Sequence, residues 1–142
     1  MITVSDRSRS AVLALTELAQ RAAPGPVATV EIAERRGVPL HCLEQVFSAL
    51  RRAGILRSQR GVKGGYSFRR APAEVTVLEV VEAVDGPLRR AEGEDGSPAR
   101  RAAADDLWDE VRERLADLLG GVTVAELAER EARFDSALMF HI

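Results

Sequence analysis

The 142-residue chain has one cysteine, two histidines and no long apolar run, and each scarcity removes a class of protein. A single thiol, Cys42, cannot close an internal disulfide, which points to a reducing compartment. No apolar stretch approaches the ~20 residues that span a bilayer. The N-terminal MITVSDRSRS lacks a basic region followed by an apolar one, so no signal peptide and a cytoplasmic location are expected. The chain also lacks a nucleophile elbow, metal-ligand spacing, a dinucleotide fingerprint and a candidate acid–base pair, so it does not read as an enzyme.

What is present fits one soluble domain. Apolar residues make up 46% and charged residues 30%, an ordinary balance. A chain of this length buries roughly 68–70% of its extended surface, enough for one core. The net charge of −2 conceals a segregation: residues 1–70 hold 12 Lys/Arg against 5 Asp/Glu, and residues 71–142 hold 8 against 17. A basic front half suits a phosphate backbone, whereas an acidic second half suits a protein partner.

Local signals predict a mainly α chain. A first helix is expected over about 7–22, with Val12, Leu15, Leu18, Ala19 and Ala22 on one stripe, ended by Pro24-Gly25-Pro26. Thr29 reads as the N-cap of a short second helix that Gly37 stops. A third helix is expected from Pro39 to just before Gly54, with Leu40, Leu43, Val46, Phe47 and Leu50 inward. A fourth follows the capping box Thr76/Glu79, with Val75 stapled to Val80 and Leu78, Val81 and Val84 buried. Residues 87–103 read as a polar loop. Then DDLWDEVRERLADLLGG forms a strongly amphipathic helix, with Leu107, Trp108, Val111, Leu115, Leu118 and Leu119 as its stripe. Thr123/Glu126 caps a last helix over about 124–135. The expected organisation is a DNA-binding unit at 1–86, a loop at 87–103 and a helical unit at 104–142.

Residues 29–70 form one pattern: short helix, turn, second helix, then a glycine-rich hairpin bearing Arg57, Arg60, Lys63, Arg69 and Arg70. This is the pattern of a winged helix-turn-helix with a two-stranded wing. The third helix turns His41, Glu44, Gln45, Ser48, Arg51 and Arg52 to its polar face. Glutamine, arginine and glutamate are the types that read adenine, guanine and cytosine edges. Tyr66 and Phe68 share a face and should anchor the hairpin. The glycines are not a phosphate-cradling loop, because no G-K-[ST] follows.

Other features stay open. Cys42 lies about 90° from the centre of the apolar face. It reads either as a small half-buried residue or as a redox thiol whose oxidation would release DNA. Glu92, Glu94 and Asp95 could hold a hard cation, but three carboxylates in a polar loop more often simply solvate it, and no metal is expected. Binding to a duplex and docking of a regulatory protein by the acidic half are competing functions.

The segments GPVATVEIAERRGVPLHCLEQVFSALRRAGILRSQRGVKGGYSF, EVTVLEVVEAVDGPL and LWDEV…L…VTVAEL together resemble the BadM/IscR/NsrR/CymR group of bacterial winged-helix repressors, the Rrf family. The resemblance spans nearly the whole chain. It implies a homodimeric repressor of double-stranded DNA at a palindromic operator, with recognition helices in successive major grooves and wings in the minor groove. It assigns contacts to His41, Glu44, Gln45 and Arg51 and the wing-tip arginine to Arg60, with Ser48 and Lys63 beside them. It makes the helix of Trp108, Val111, Leu115 and Leu118 the dimerisation element. Iron–sulfur members carry three cysteines before that helix. Residues 87–110 here contain none, so no cluster is expected. The signal is then open, a regulatory protein or a small-molecule effector being the candidates.

Overall fold

The computed structural model describes residues 4–21, 24–88 and 102–140, with side chains described to residue 138. Helices α1 (Asp6–Gln20), α2 (Thr29–Arg36) and α3 (Leu40–Arg52) lead into strands β1 (Leu56–Gln59) and β2 (Gly65–Phe68). A one-turn 3-10 helix (Pro72–Glu74) precedes α4 (Val77–Asp85), α5 (Ala103–Gly120) and α6 (Val124–Phe140). The mainly α winged helix-turn-helix expected from the sequence is therefore the fold.

The core gathers one face from nearly every element. Leu43, Val46, Phe47 and Leu50 of α3 are all fully buried, against Ala11, Ala14 and Leu15 of α1, Ile32 of α2 and Val80 of α4. Alanines at 11 and 14, beside the expected Leu15 and Leu18, let the neighbouring helices approach α1 closely. Val12 and Ala19 pack only at the core margin, and Ala22 lies outside the described residues. Helices α4 and α6 both pack on α1.

Several expected boundaries shift. Helix α1 starts one residue early, because Ser5 caps it by accepting from the Ser8 N–H at 3.1 Å. Thr29 is not a cap. Val27 exchanges two 2.9 Å backbone hydrogen bonds with Tyr66, and this bridge holds the chain extended through Ala28, so the helix begins at Thr29 without a side-chain cap. Leu40, at the first turn of α3, is 39% exposed and is not part of the inward face. In α4 the buried residues are Val77, Val80 and Val81, while Leu78 and Val84 are only half-buried. Helix α6 runs to Phe140 instead of about 135, since no glycine or proline interrupts it. The acidic residues Glu92, Glu94 and Asp95 lie outside the described residues.

The two capping boxes are each half-formed. Thr76 Oγ1 accepts from the Glu79 N–H and Thr123 Oγ1 from the Glu126 N–H, both at 3.1 Å. The glutamates do not reach back: Glu79 binds Arg70, and Glu126 binds Arg130 at 2.7 Å. Instead the two caps pair with each other. Val77 N–H donates to Val122 O at 2.8 Å and Val124 N–H to Val75 O at 2.9 Å, an antiparallel bridge centred on Thr76 and Thr123.

The candidate nucleic-acid interface

The interface starts from the core. Burial of Leu43, Val46, Phe47 and Leu50 fixes the rotation of α3, so its polar residues must face out. His41, Gln45, Ser48 and Arg52 fall within about 60° around the helix axis. They pair along it: Gln45 Nε2 lies 3.1 Å from His41 Nε2, and Arg52 donates to Ser48 Oγ at 2.9 Å. With Glu44, and with Arg7 from the start of α1, they line an open cleft of about 480 Å³. Arg51 is exposed but points roughly 90° from the centre of this face.

Arg7 and Arg52 are not among the DNA contacts that the sequence assigns. Arg52 lies eleven residues after His41, three turns along the same face, a signal that periodicity contains. Arg7 lies 34 residues before His41, and no local pattern links them.

The wing stands beside α3. Register pairs Leu56 with Phe68 and Gln59 with Gly65, leaving Arg60 to Gly64 as the turn. Tyr66 meets Phe47 edge-on, ring centroids 5.1 Å apart, which fixes the hairpin to the back of α3. Gly65 is required by contact: a Cβ there would sit 2.2 Å from the Val27 carbonyl oxygen. Arg57, Arg60, Lys63 and Arg69 are exposed. Arg70 turns away from the wing surface, binding the Glu79 carboxylate and, at 2.8 Å, the Glu74 carbonyl. It serves the wing base and not its cationic face.

A buried carboxylate positions the helix-turn-helix. Glu17 is 3% exposed yet sits on the apolar side of α1. It accepts from Arg21 at 3.1 Å, Arg35 at 3.0 Å and Arg36 at 2.9 Å. Burial alone would raise its pKa, but the hydrogen bonds and charges of Arg35 and Arg36 outweigh it and hold the carboxyl below its ordinary value. Arg36 reaches on to Gln20 at 3.1 Å and to Glu131 of α6.

The remaining candidates lie elsewhere. Cys42 is half-buried beside the core, between the polar and apolar faces of α3. On α5, Leu107 and Trp108 are each 50% exposed and Leu118 is 65% exposed; Val111 is exposed and Leu115 half-buried. Only Ala116 is fully buried there. Phe134 and Leu138 of α6 are also exposed.

Comparison with known proteins supplies the assignment. The family described as Rrf2, iron-dependent transcriptional regulator, matches residues 4–130. The HTH-type transcriptional regulator IscR of Xenorhabdus nematophila is 35% identical over 137 residues, covering 94% of this chain and 84% of that protein. The IscR of Serratia proteamaculans is 35% identical over 131 residues, covering 90% and 80%. Among solved structures, CymR (YrzC), the global cysteine regulator of B. subtilis, matches with a TM-score of 0.77 at 29% identity, covering 92% of this chain and 98% of that one. T. potens IscR matches with a TM-score of 0.75 at 29% identity, covering 91% and 88%. These relatives are regulators and not enzymes, and the chain belongs to the Rrf2 family of DNA-binding transcriptional regulators.

Proposed function

We propose that the chain is a cytoplasmic, homodimeric repressor that binds a palindromic operator. Its α3 enters the major groove and its wing the adjacent minor groove. The observation that carries this reading is the outward face of α3, where His41, Glu44, Gln45 and Ser48 lie between Arg7 and Arg52 in one cleft. Base-reading types occupy the middle and cations the margin, as a groove flanked by phosphates requires. Arg60 and Lys63 extend the cationic surface onto the wing, and Arg51 adds a backbone contact at its edge.

Dimerisation follows from the apolar stripe of α5. Leu107, Trp108, Val111 and Leu118 form an exposed patch on a protomer that otherwise buries most of its large apolar residues, and such patches mark interfaces. A second copy covers this stripe and brings a second α3 into place. A two-fold protein then reads a two-fold site.

The family description raises iron. The residues of this chain do not fit a thiolate-held cluster: the sequence has one cysteine, and Cys42 packs on α3 against the core. Among the described residues no three His, Cys, Asp or Glu side chains gather as metal ligands. We therefore read a member without a cluster, whose signal is a regulatory protein or a small-molecule effector. Cys42 is read as a packing residue; the Cys42→Ser variant should keep the same duplex affinity before and after peroxide treatment.

Selection of duplexes from a random pool tests the reading. The expected product is an inverted repeat whose half-sites are about one helical turn apart. Recovery of no shared sequence, with no salt-sensitive retention on duplex DNA, would overturn it.

A further inference from the structure

The wing tip carries an apolar side chain with nothing to pack against. Val62 is 107% exposed, as free as a side chain in an extended peptide, and exceeds every other exposed large hydrophobic among the described residues. It stands between two exposed cations, Arg60 and Lys63.

The turn that presents it is fixed by backbone. Gly64 N–H donates to Gly61 O at 2.9 Å, closing the tip. Gly61 adopts a φ of 112°, which disfavours any side chain there. A Cβ at Gly64 would sit 2.3 Å from the Gln59 carbonyl oxygen. Val62 is thus held out by a defined turn whose base is pinned through Gly65 to Val27.

A lone isopropyl group between two cations is too small for a protein interface. It suits a narrow polyanionic channel with apolar walls. The minor groove is about 6 Å wide. Apolar wedges that enter it partly unstack a base step and bend the duplex toward the major groove. Valine is stiff at χ1, so seating it there costs little side-chain entropy.

We propose that Val62 is a minor-groove wedge, pressed against sugars and base edges at one step while Arg60 and Lys63 meet the flanking negative potential. This rests on the duplex-binding reading above and assigns the tip a role in shape recognition that the cations alone do not supply. A flexible pyrimidine–purine step would be the favoured seat, because it opens at the least cost.

The test uses a duplex selected by the wild-type chain and end-labelled with a fluorescence pair. Val62 packs on nothing in the protomer, so Val62→Ala should fold normally. The expected result is a roughly 3- to 10-fold loss of affinity, a longer end-to-end distance in the complex, and an unchanged salt slope. Lys63→Ala should do the reverse, lowering the slope by about 1 and keeping the bend. Val62→Ala with wild-type affinity and wild-type end-to-end distance would overturn the wedge while leaving duplex binding intact. Failure of the wild-type chain itself to bind any selected duplex would remove the wedge together with the reading beneath it.

Discussion

Glu17 accepts a 2.9 Å hydrogen bond from Arg36, and Arg36 also binds Glu131, so one buried carboxylate ties α1 and α2 to α6. The first helix of the helix-turn-helix is thereby held by charge as well as by Ile32 and Ala33. Removing the carboxylate frees three arginines that are partly solvated, which limits the penalty.

Glu17→Gln should lower stability at pH 7 by about 1–3 kcal/mol, the range for hydrogen bonds to a charged group. The folded pKa of Glu17 is depressed, so its contribution is full above the unfolded carboxylate value and is lost as pH falls through the folded one. Asp85, lowered by its bonds to Ser5 against the effect of burial, acts in the same direction. Urea unfolding at pH 7 and pH 3 checks this: the gap between wild type and Glu17→Gln should shrink at pH 3. An equal gap at both would mean that Glu17 acts by shape and not by charge.

Thr76→Ala and Thr123→Ala should each cost about 1 kcal/mol, the usual value of an N-cap. The two caps pair across the bridge that joins the starts of α4 and α6. Their effects should therefore not add, and a double-mutant cycle in urea reads the coupling. Strict additivity would show that the bridge does not link the helices.

Arg52→Ala should relax discrimination between the selected duplex and a scrambled one more than Arg51→Ala does. Arg52 stands on the α3 polar face with Ser48, and Arg51 stands at its edge. Removing a side chain that reads a base costs about 1–3 kcal/mol of preference, whereas removing one that binds phosphate weakens all duplexes alike. Competition binding separates the two, and a larger loss of discrimination from Arg51→Ala would shift the reading face toward that edge.

Lys63 is the only lysine in the sequence, so amine acetylation followed by peptide mass analysis reports on the wing tip alone, apart from the N-terminal amine. The selected duplex should slow acetylation of Lys63 severalfold. Equal rates with and without duplex would place the wing tip away from DNA.

The fold is legible where neighbours in sequence are neighbours in space. The stripe Leu43, Val46, Phe47 and Leu50 marks α3 and its outward face, and Gly61, Gly64 and Gly65 mark the wing turn. What escapes is long-range. The bridge from Val27 to Tyr66 displaces the cap expected at Thr29, and the bridge at Thr76 and Thr123 joins two phrases that look alike only as caps. Glu17 is hidden because a carboxylate on an apolar stripe has no local explanation; its partners lie four, 18 and 19 residues away. The same limit keeps Arg7 out of the expected interface.

The central claim is that the outward face of α3 and the wing together bind duplex DNA. It is tested most directly by titrating the labelled selected duplex with wild type and with the triple variant Gln45→Ala, Arg52→Ala, Arg60→Ala, after circular dichroism has matched their folds. All three side chains are exposed, and none supports the core. The expected result is a loss of at least about 100-fold in affinity, with a salt slope shallower by about 2. Equal affinity and equal slope in the triple variant would contradict the claim.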